Sequence, residues 1–200
     1  MRSNEILLAT SNKHKVGEIK KILNIKGLKL LSLLDLPGKF SVKESGKTFM
    51  ENAVKKARSA AKRFRMPCLS DDSGLHVNAL SGMPGVRSAR FVKPPVTPER
   101  LCKKLLFKMK DVPAEKRGAR FVCCVAFAYP SGKTYTVEGD CPGSIGFAMK
   151  GSCGFGYDPV FIPKGMDKTF AQISGKQKNL LSHRGKAFRK MRKCLVKNAV

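Results

Sequence analysis

Short apolar runs alternate with amphipathic helical stretches along this chain, and that alternation predicts an α/β fold with a mixed sheet. Two further observations support it: polar segments fall at the element junctions, and no internal repeat or low-complexity linker interrupts the pattern. With 200 residues, 42% of them hydrophobic, and 12 Phe, the chain can build one large domain or two small lobes sharing a core.

In order, Ile6, Leu7, Leu8 and Ala9 form a short buried strand that runs into the polar turn Thr10-Ser11-Asn12. Val16, Ile19, Ile22 and Leu23 then share one face of a helix. A strand, a polar turn and a helix N-terminus make a common anion site, because unpaired N–H groups and the helix dipole point at the anion. Residues 28–34 predict a second strand, ended by Pro37-Gly38. A helix is expected over 48–65, with Thr48 as N-cap, Glu51 at capping-box distance, and Val54, Ala57, Ala60 and Ala61 on its apolar face. Pro67-Cys68-Leu69 reads as a short strand whose mouth carries Ser70-Asp71-Asp72-Ser73-Gly74. Residues 76–96, rich in Gly, Pro and Ser, read as a long functional loop, followed by a helix over 98–109 with Leu101, Leu105 and Met109 in step. Residues 121–129 and 133–138 flank Pro130-Ser131-Gly132 as a hairpin. A glycine-rich loop over 151–158 leads into a strand over 160–162, and a last helix over about 182–197 turns Phe188, Met191 and Leu195 inward.

Forty Lys and Arg against 14 Asp and Glu give a formal charge of +26, which predicts solubility and salt-dependent, non-specific attraction to polyanions. The apolar run at Ile6 to Ala9 is too short for a signal sequence or a membrane span, so a cytoplasmic protein with no membrane association is expected. The seven cysteines are odd in number and form no C-x-x-C; they read as reduced thiols filling core positions, with no zinc site expected.

Four polar segments carry the chemistry. In Thr10-Ser11-Asn12-Lys13-His14-Lys15 the turn groups can donate to phosphate oxygens, with Lys15 adding a charge; the same residues also suit an ordinary N-cap and basic helix face. Glu44, placed before Gly46, could reach a metal, while Lys56 projects from the helix beyond Asn52, and Glu51 and Asn52 suit capping and helix-end hydrogen bonds. The adjacent carboxylates Asp71 and Asp72 repel each other, and a divalent cation is the simplest reason to keep both at a strand mouth. Finally, Phe155 lies between Gly154 and Gly156, leaving an open ring face for a purine base, and His183 and Arg184 at a helix start could bond a base keto group or a phosphate.

Six motifs then appear in order: A-T-S-N-x-x-K-x-x-E from Ala9, E-x-G-x-T-F-x-E-N-A-x-x-K-A from Glu44, S-D-D-S-G-L from Ser70, P-G-V-x-S-A-R-F from Pro84, G-F-G-Y-D-P-x-F from Gly154 and K-N-x-x-S-H-R-G-x-A from Lys178. Through them the chain resembles the inosine triphosphate pyrophosphatase family from Ile6 to about Ala187. The resemblance implies a single two-lobed domain over 1–200, built on a long mixed sheet flanked by helices with the active site in the cleft between lobes. It implies an enzyme that uses Mg2+ to hydrolyse non-standard purine nucleoside triphosphates (ITP, dITP, XTP) to the monophosphate and pyrophosphate, cleansing the nucleotide pool, and that commonly forms homodimers. It assigns Asp72, Lys15 and Lys56 to catalysis and Glu44, Asp72 and Asp71 to the metal. It assigns Thr10, Ser11, Asn12, Lys13, His14, Lys15 and Ser73 to the triphosphate side of substrate binding, and Phe155, Gly156, Tyr157, Asp158, Lys178, His183 and Arg184 to the nucleotide. Asp71 is read as supporting Asp72 or holding a second metal.

The charge departs from the near-neutral surface expected of that family, with Ala171-Gln172-Ile173 and Gln177-Lys178-Asn179 standing where acids are expected. Yet six of the 14 acids (Glu18, Glu44, Glu51, Asp71, Asp72, Asp158) lie inside the matched motifs. A basic nucleic-acid binder, tracking phosphates with Lys186, Arg189, Lys190, Arg192, Lys193 and Lys197, would have no need of Glu44, Asp71 and Asp72, which repel phosphate unless a metal is bound. A Maf-like pyrophosphatase acting on dTTP or UTP would carry Ser-x-x-Arg-Arg in the first turn, which Ser11-Asn12-Lys13-His14-Lys15 does not match.

Overall fold

The computed structural model describes residues 4–38 and 40–198. Among them, six strands form one sheet in the order β2-β1-β3-β4-β5-β6: β1 (Glu5–Leu8), β2 (Lys29–Ser32), β3 (Cys68–Val77), β4 (Gly118–Ala128), β5 (Thr134–Ile145) and β6 (Phe161–Pro163). The helices are α1 (Lys13–Leu23), α2 (Phe49–Phe64), α3 (Pro98–Lys108), α4 (Gly175–Leu181) and α5 (His183–Asn198). β1 pairs in parallel with both β2 and β3, while β5 and β6 are antiparallel, so the sheet is mixed as the element alternation predicts. No described helix is long and apolar enough to cross a membrane.

The chain divides into two compact units, each discontinuous in sequence. Unit 1 is drawn from Met1–Asp72, Cys123–Gly139 and Arg184–Val200, and unit 2 from Ser73–Val122 and Asp140–His183. Unit 1 buries Ile6, Leu8, Ile19, Leu23, Leu69 and Phe127 with Phe188, Met191 and Leu195 of α5. Unit 2 buries Leu75, Leu101, Leu105, Phe121, Phe161 and Phe170. Each large apolar side chain so buried contributes roughly 1.5–3 kcal/mol.

Several elements differ from the sequence reading; among them β5, expected over 133–138, runs on to Ile145. The strand expected over 28–34 stops at Ser32, because Asp35 Oδ2 accepts from both the backbone N–H (2.7 Å) and the hydroxyl (2.8 Å) of Ser32 and tightens residues 33–35 into a 3₁₀ turn. The strand expected to end at Leu69 runs on to Val77, so Asp71 and Asp72 lie within β3 rather than at its mouth. Helix α4 was not expected; its sign is Ser174-x-x-Gln177, a capping box in which the Ser174 hydroxyl accepts from Gln177 N–H and Gln177 Oε1 accepts from Ser174 N–H. Thr48 caps α2 as expected, accepting from Glu51 N–H at 3.1 Å, but the capping box is not closed, because the Glu51 carboxylate accepts from Lys47 N–H at 2.8 Å.

Candidate functional site

Strand geometry resolves the repulsion between the adjacent carboxylates. Successive side chains of a strand point to opposite faces, so Asp71 meets α1 and α5 while Asp72 meets α2, all within unit 1. Asp71 Oδ2 accepts from Lys15 Nζ at 2.9 Å and from Arg184 Nη2 at 3.4 Å. Arg184 Nη1 donates to Glu18 Oε2 at 2.6 Å. Burial alone would raise the Asp71 pKa, but Lys15, Arg184 and Lys56 outweigh it and hold the carboxyl well below the usual range. The Arg184 guanidinium, itself buried, is held charged by Asp71 and Glu18 against the cost of desolvation.

Asp72 has a different environment. Its Oδ2 accepts from Asn52 Nδ2 at 3.1 Å, and its Oδ1 lies 3.5 Å from Lys56 Nζ. The same ammonium donates to Glu44 Oε1 at 2.7 Å and to the backbone oxygen of Asp71 at 2.8 Å. Burial pushes the Asp72 carboxyl up, Glu44 pushes it further, and Lys56, Lys15 and Asn52 only partly offset them. Lys56 is lowered by burial but raised more strongly by Asp72, Asp71 and Glu44, so its ammonium is held protonated. The α2 face that presents Asn52 and Lys56 is docked on β3 by the Ser70 hydroxyl, which donates to the Ala53 carbonyl.

The turn before α1 is built as the sequence suggests. Asn12 is the N-cap, its Oδ1 accepting from Lys15 N–H at 3.2 Å, and Thr10 Oγ1 accepts from Asn12 N–H at 3.2 Å. Ser11, Asn12, Lys13 and His14 are exposed around that helix start. Ser73, half-buried, follows Asp72 along β3.

In unit 2 a second buried ion pair organises the glycine-rich loop. Asp158 Oδ2 accepts from Lys178 Nζ at 2.6 Å and from Phe155 N–H at 2.7 Å. Gly154 is held at φ +78°, where a Cβ would lie 2.1 Å from that same oxygen, so only glycine fits. Lys178 Nζ sits 4.6 Å from the centroid of the half-buried Phe155 ring. Tyr157 is buried and donates its hydroxyl to the Ser88 carbonyl at 2.9 Å. His183 stacks on Phe121, with centroids 4.6 Å apart at 11°.

The structure thus gathers Glu44, Lys56, Asp71, Asp72 and Lys15 in unit 1, and Phe155, Gly156, Tyr157, Asp158, Lys178 and His183 in unit 2. Arg184, which the resemblance assigns to the nucleotide, belongs to unit 1 and pairs there with Glu18 and Asp71. Tyr157 turns its polar atom to the backbone, so it braces the loop. Asn52 makes the helix-end bond that its position suits, accepting from Gly46 N–H, but it is also 1% exposed and bonded to Asp72, a contact the sequence did not signal.

Among the described residues no group of three or more His, Cys, Asp or Glu is placed to hold a metal ion. Glu44 and Asp72 nevertheless fit magnesium: it takes hard oxygen donors, commonly one or two carboxylates, and fills the rest of its shell with water and substrate phosphates. Two carboxylates sharing one ammonium leave negative charge for a cation to neutralise.

An α/β protein with a carboxylate–lysine centre beside a polar helix start, and a glycine-flanked aromatic above a buried lysine, belongs to the class built for phosphorylated, base-bearing ligands. Comparison with known proteins narrows this. The profile of the Ham1 family matches residues 6–194, and the chain belongs to that family. The dITP/XTP pyrophosphatase of Halalkalibacterium halodurans is 44% identical over 191 residues, 96% of this chain and 98% of that protein. That of Exiguobacterium sibiricum is 45% identical over 192 residues, covering 96% and 97%. The Staphylococcus aureus Ham1 protein superposes with a TM-score of 0.86 at 37% identity, over 96% of this chain and 98% of that one.

Proposed function

We propose that this protein hydrolyses dITP, ITP and XTP between the α- and β-phosphates, releasing the monophosphate and pyrophosphate and so clearing non-standard purines from the nucleotide pool. The observation that carries this reading is the convergence of Glu44 and Asp72 on Lys56, in a chain aligned over nearly its whole length with proteins named dITP/XTP pyrophosphatase.

Glu44 and Asp72 would hold Mg2+, which when bound withdraws charge from the phosphate oxygens. Asp72 orients the attacking water and accepts its proton. Lys15 and Lys56 stabilise charge on the pyrophosphate leaving group. Thr10, Ser11, Asn12, Lys13 and His14 offer turn donors to the phosphates, with Ser73 close by. Asp71, bonded to Lys15 and Arg184, serves as the support that aims them.

In unit 2, Phe155 stacks on the base, while Lys178 and His183 donate towards a purine 6-keto oxygen. Adenine presents an amino donor there and leaves the donors unpaired, a mismatch worth ~10⁴-fold or more. Guanine shares the keto group, so it must be excluded at the 2-position. We place the activity in the cytoplasm and assign the active form as a homodimer; the +26 charge adds a non-specific, salt-screened affinity for polyanions.

The test is pyrophosphate release from ITP, XTP, dITP, GTP, ATP and dTTP, with and without magnesium. The expected result is Mg2+-dependent turnover of the first three far above the rest. Equal turnover of ATP, or full activity in EDTA, would sink the reading. Asp72→Asn is expected to fold and to lose at least the ~10²–10⁴-fold typical of a general base.

A further inference from the structure

We infer that Asn52 is a positioning residue for the acidic centre: its single amide fixes the Asp72 carboxylate and the loop bearing Glu44 in one arrangement. The inference rests on the proposed function in taking Glu44 and Asp72 as the pair that meets the cation.

The loop before α2 is fastened to the helix in antiparallel order. Lys47 N–H donates to Glu51 Oε2 at 2.8 Å, Gly46 N–H to Asn52 Oδ1 at 2.8 Å, Lys55 Nζ to Ser45 Oγ at 2.8 Å and Lys56 Nζ to Glu44 Oε1 at 2.7 Å. Of these four helix residues, Asn52 and Lys56 stand four apart, on one helix face, and both reach on to Asp72. Lys56 carries a charge and is assigned to phosphate chemistry. Asn52 is neutral, so it can hold Asp72 Oδ2 without cancelling the negative charge that a cation needs.

The orientation of the Asn52 amide follows from its partners. A backbone N–H can only donate, so Oδ1 faces Gly46; an ionised carboxylate can only accept, so Nδ2 faces Asp72. At 1% exposure the amide has no water to fall back on, and losing either partner leaves a buried polar group unsatisfied. The other end is equally constrained: a Cβ on Gly46 would lie 2.7 Å from Asn52 Oδ1 and 2.8 Å from Glu51 Cβ. Gly46 and Asn52 therefore act as one latch, tying the loop of one carboxylate to the side chain of the other. Groups that orient metal-binding side chains in this way typically contribute about 10–100-fold in metal affinity or activity.

The experiment measures Mn2+ affinity of the nucleotide-free protein by electron paramagnetic resonance, dITP kinetics at saturating Mg2+, and thermal midpoints, for wild type, Asn52→Ala, Asn52→Asp and Glu51→Ala. Asn52→Ala is expected to bind Mn2+ about 10–100-fold more weakly, and to lose kcat on the same scale with little change in KM for dITP. Asn52→Asp keeps the side-chain volume and the acceptor for Gly46 but turns an oxygen towards Asp72. It should fold, and lose about ten-fold or more in kcat, so it carries the test if the alanine variant does not fold. Glu51→Ala, which loses a bond to the same loop without touching Asp72, should keep wild-type Mn2+ affinity and kcat. Wild-type kcat in folded Asn52→Asp, wild-type Mn2+ affinity in folded Asn52→Ala, or equal losses in Glu51→Ala would overturn the inference and leave the proposed function standing. A wild-type protein that binds Mn2+ yet releases no pyrophosphate would overturn the proposed function, while the Mn2+ comparison still decides the role of Asn52.

Discussion

Replacing Asp71 by Asn removes the carboxylate that Lys15 and Arg184 both engage, at 2.9 and 3.4 Å. Its side chain is fully inaccessible and that of Arg184 is 2% exposed, so water cannot substitute for the lost charge. Breaking a buried pair by deleting one partner costs about 3–5 kcal/mol. Arg184 keeps Glu18 at 2.6 Å, and Lys15, with 16% of its side chain exposed, can turn towards solvent. Both facts favour the low end of that range, about 3 kcal/mol. At 200 residues, each kcal/mol moves Tm by about 2–4 °C, so the variant should melt ~6–12 °C below wild type. The pH dependence has a definite sign. The native pKa of Asp71 is depressed, so its contribution is complete above the unfolded value of about 3.9 and is lost as pH falls through the native one. The gap in Tm should therefore be full at pH 7 and close progressively below pH ~4. Differential scanning calorimetry of both proteins at pH 7, 5, 4 and 3 checks this. A gap under about 1 kcal/mol at pH 7, or one unchanged below pH ~4, would refute the reasoning.

Two further outcomes follow from unit 2. Gly154→Ala drives a Cβ to 2.1 Å from Asp158 Oδ2, at a φ that disfavours any other residue; displacing that oxygen disturbs both Lys178 and the Phe155 backbone. The expected result is a rise of about ten-fold or more in KM for dITP with a smaller effect on kcat, read from steady-state kinetics. Cys153 is exposed, Cys194 half-buried and the other five cysteines buried, with burial pushing the Cys68 and Cys102 thiols up to about 12. Ellman's reagent on the native protein should show one fast thiol, absent in Cys153→Ser, while the buried thiols react only on unfolding.

Much of the fold was legible because local rules and tertiary context agree. Thr48 with Glu51, Asn12 before α1 and Pro130-Ser131-Gly132 between strands each satisfy a local hydrogen-bonding or turn requirement, and each element stands where those signals put it. β3 misled because Asp-Asp reads locally as the end of a strand. Sheet pairing, and cations waiting on both faces, allow the strand to continue through it. Helix α4 was legible in Ser174-x-x-Gln177, but its apolar residues are too few to make a periodic signal.

The candidate site divides in the same way. By itself, the amino-acid sequence determined which side chains are present in motif spacing: the carboxylates Glu44, Asp71 and Asp72, the lysines Lys15, Lys56 and Lys178, and the ring of Phe155. These follow from residue type and local spacing, and they suffice for the family. Only the tertiary structure decided how the two adjacent aspartates differ. Asp71 is paired with two cations and held ionised, while Asp72 is left raised in pKa beside Glu44 and latched by Asn52. It also decided that Arg184 stands with Asp71 and that Tyr157 turns its hydroxyl to the backbone. The reason is that charge partners and burial are set by residues as many as 166 positions apart in the chain. Coulomb attraction and desolvation depend on that proximity in space, which local sequence does not encode.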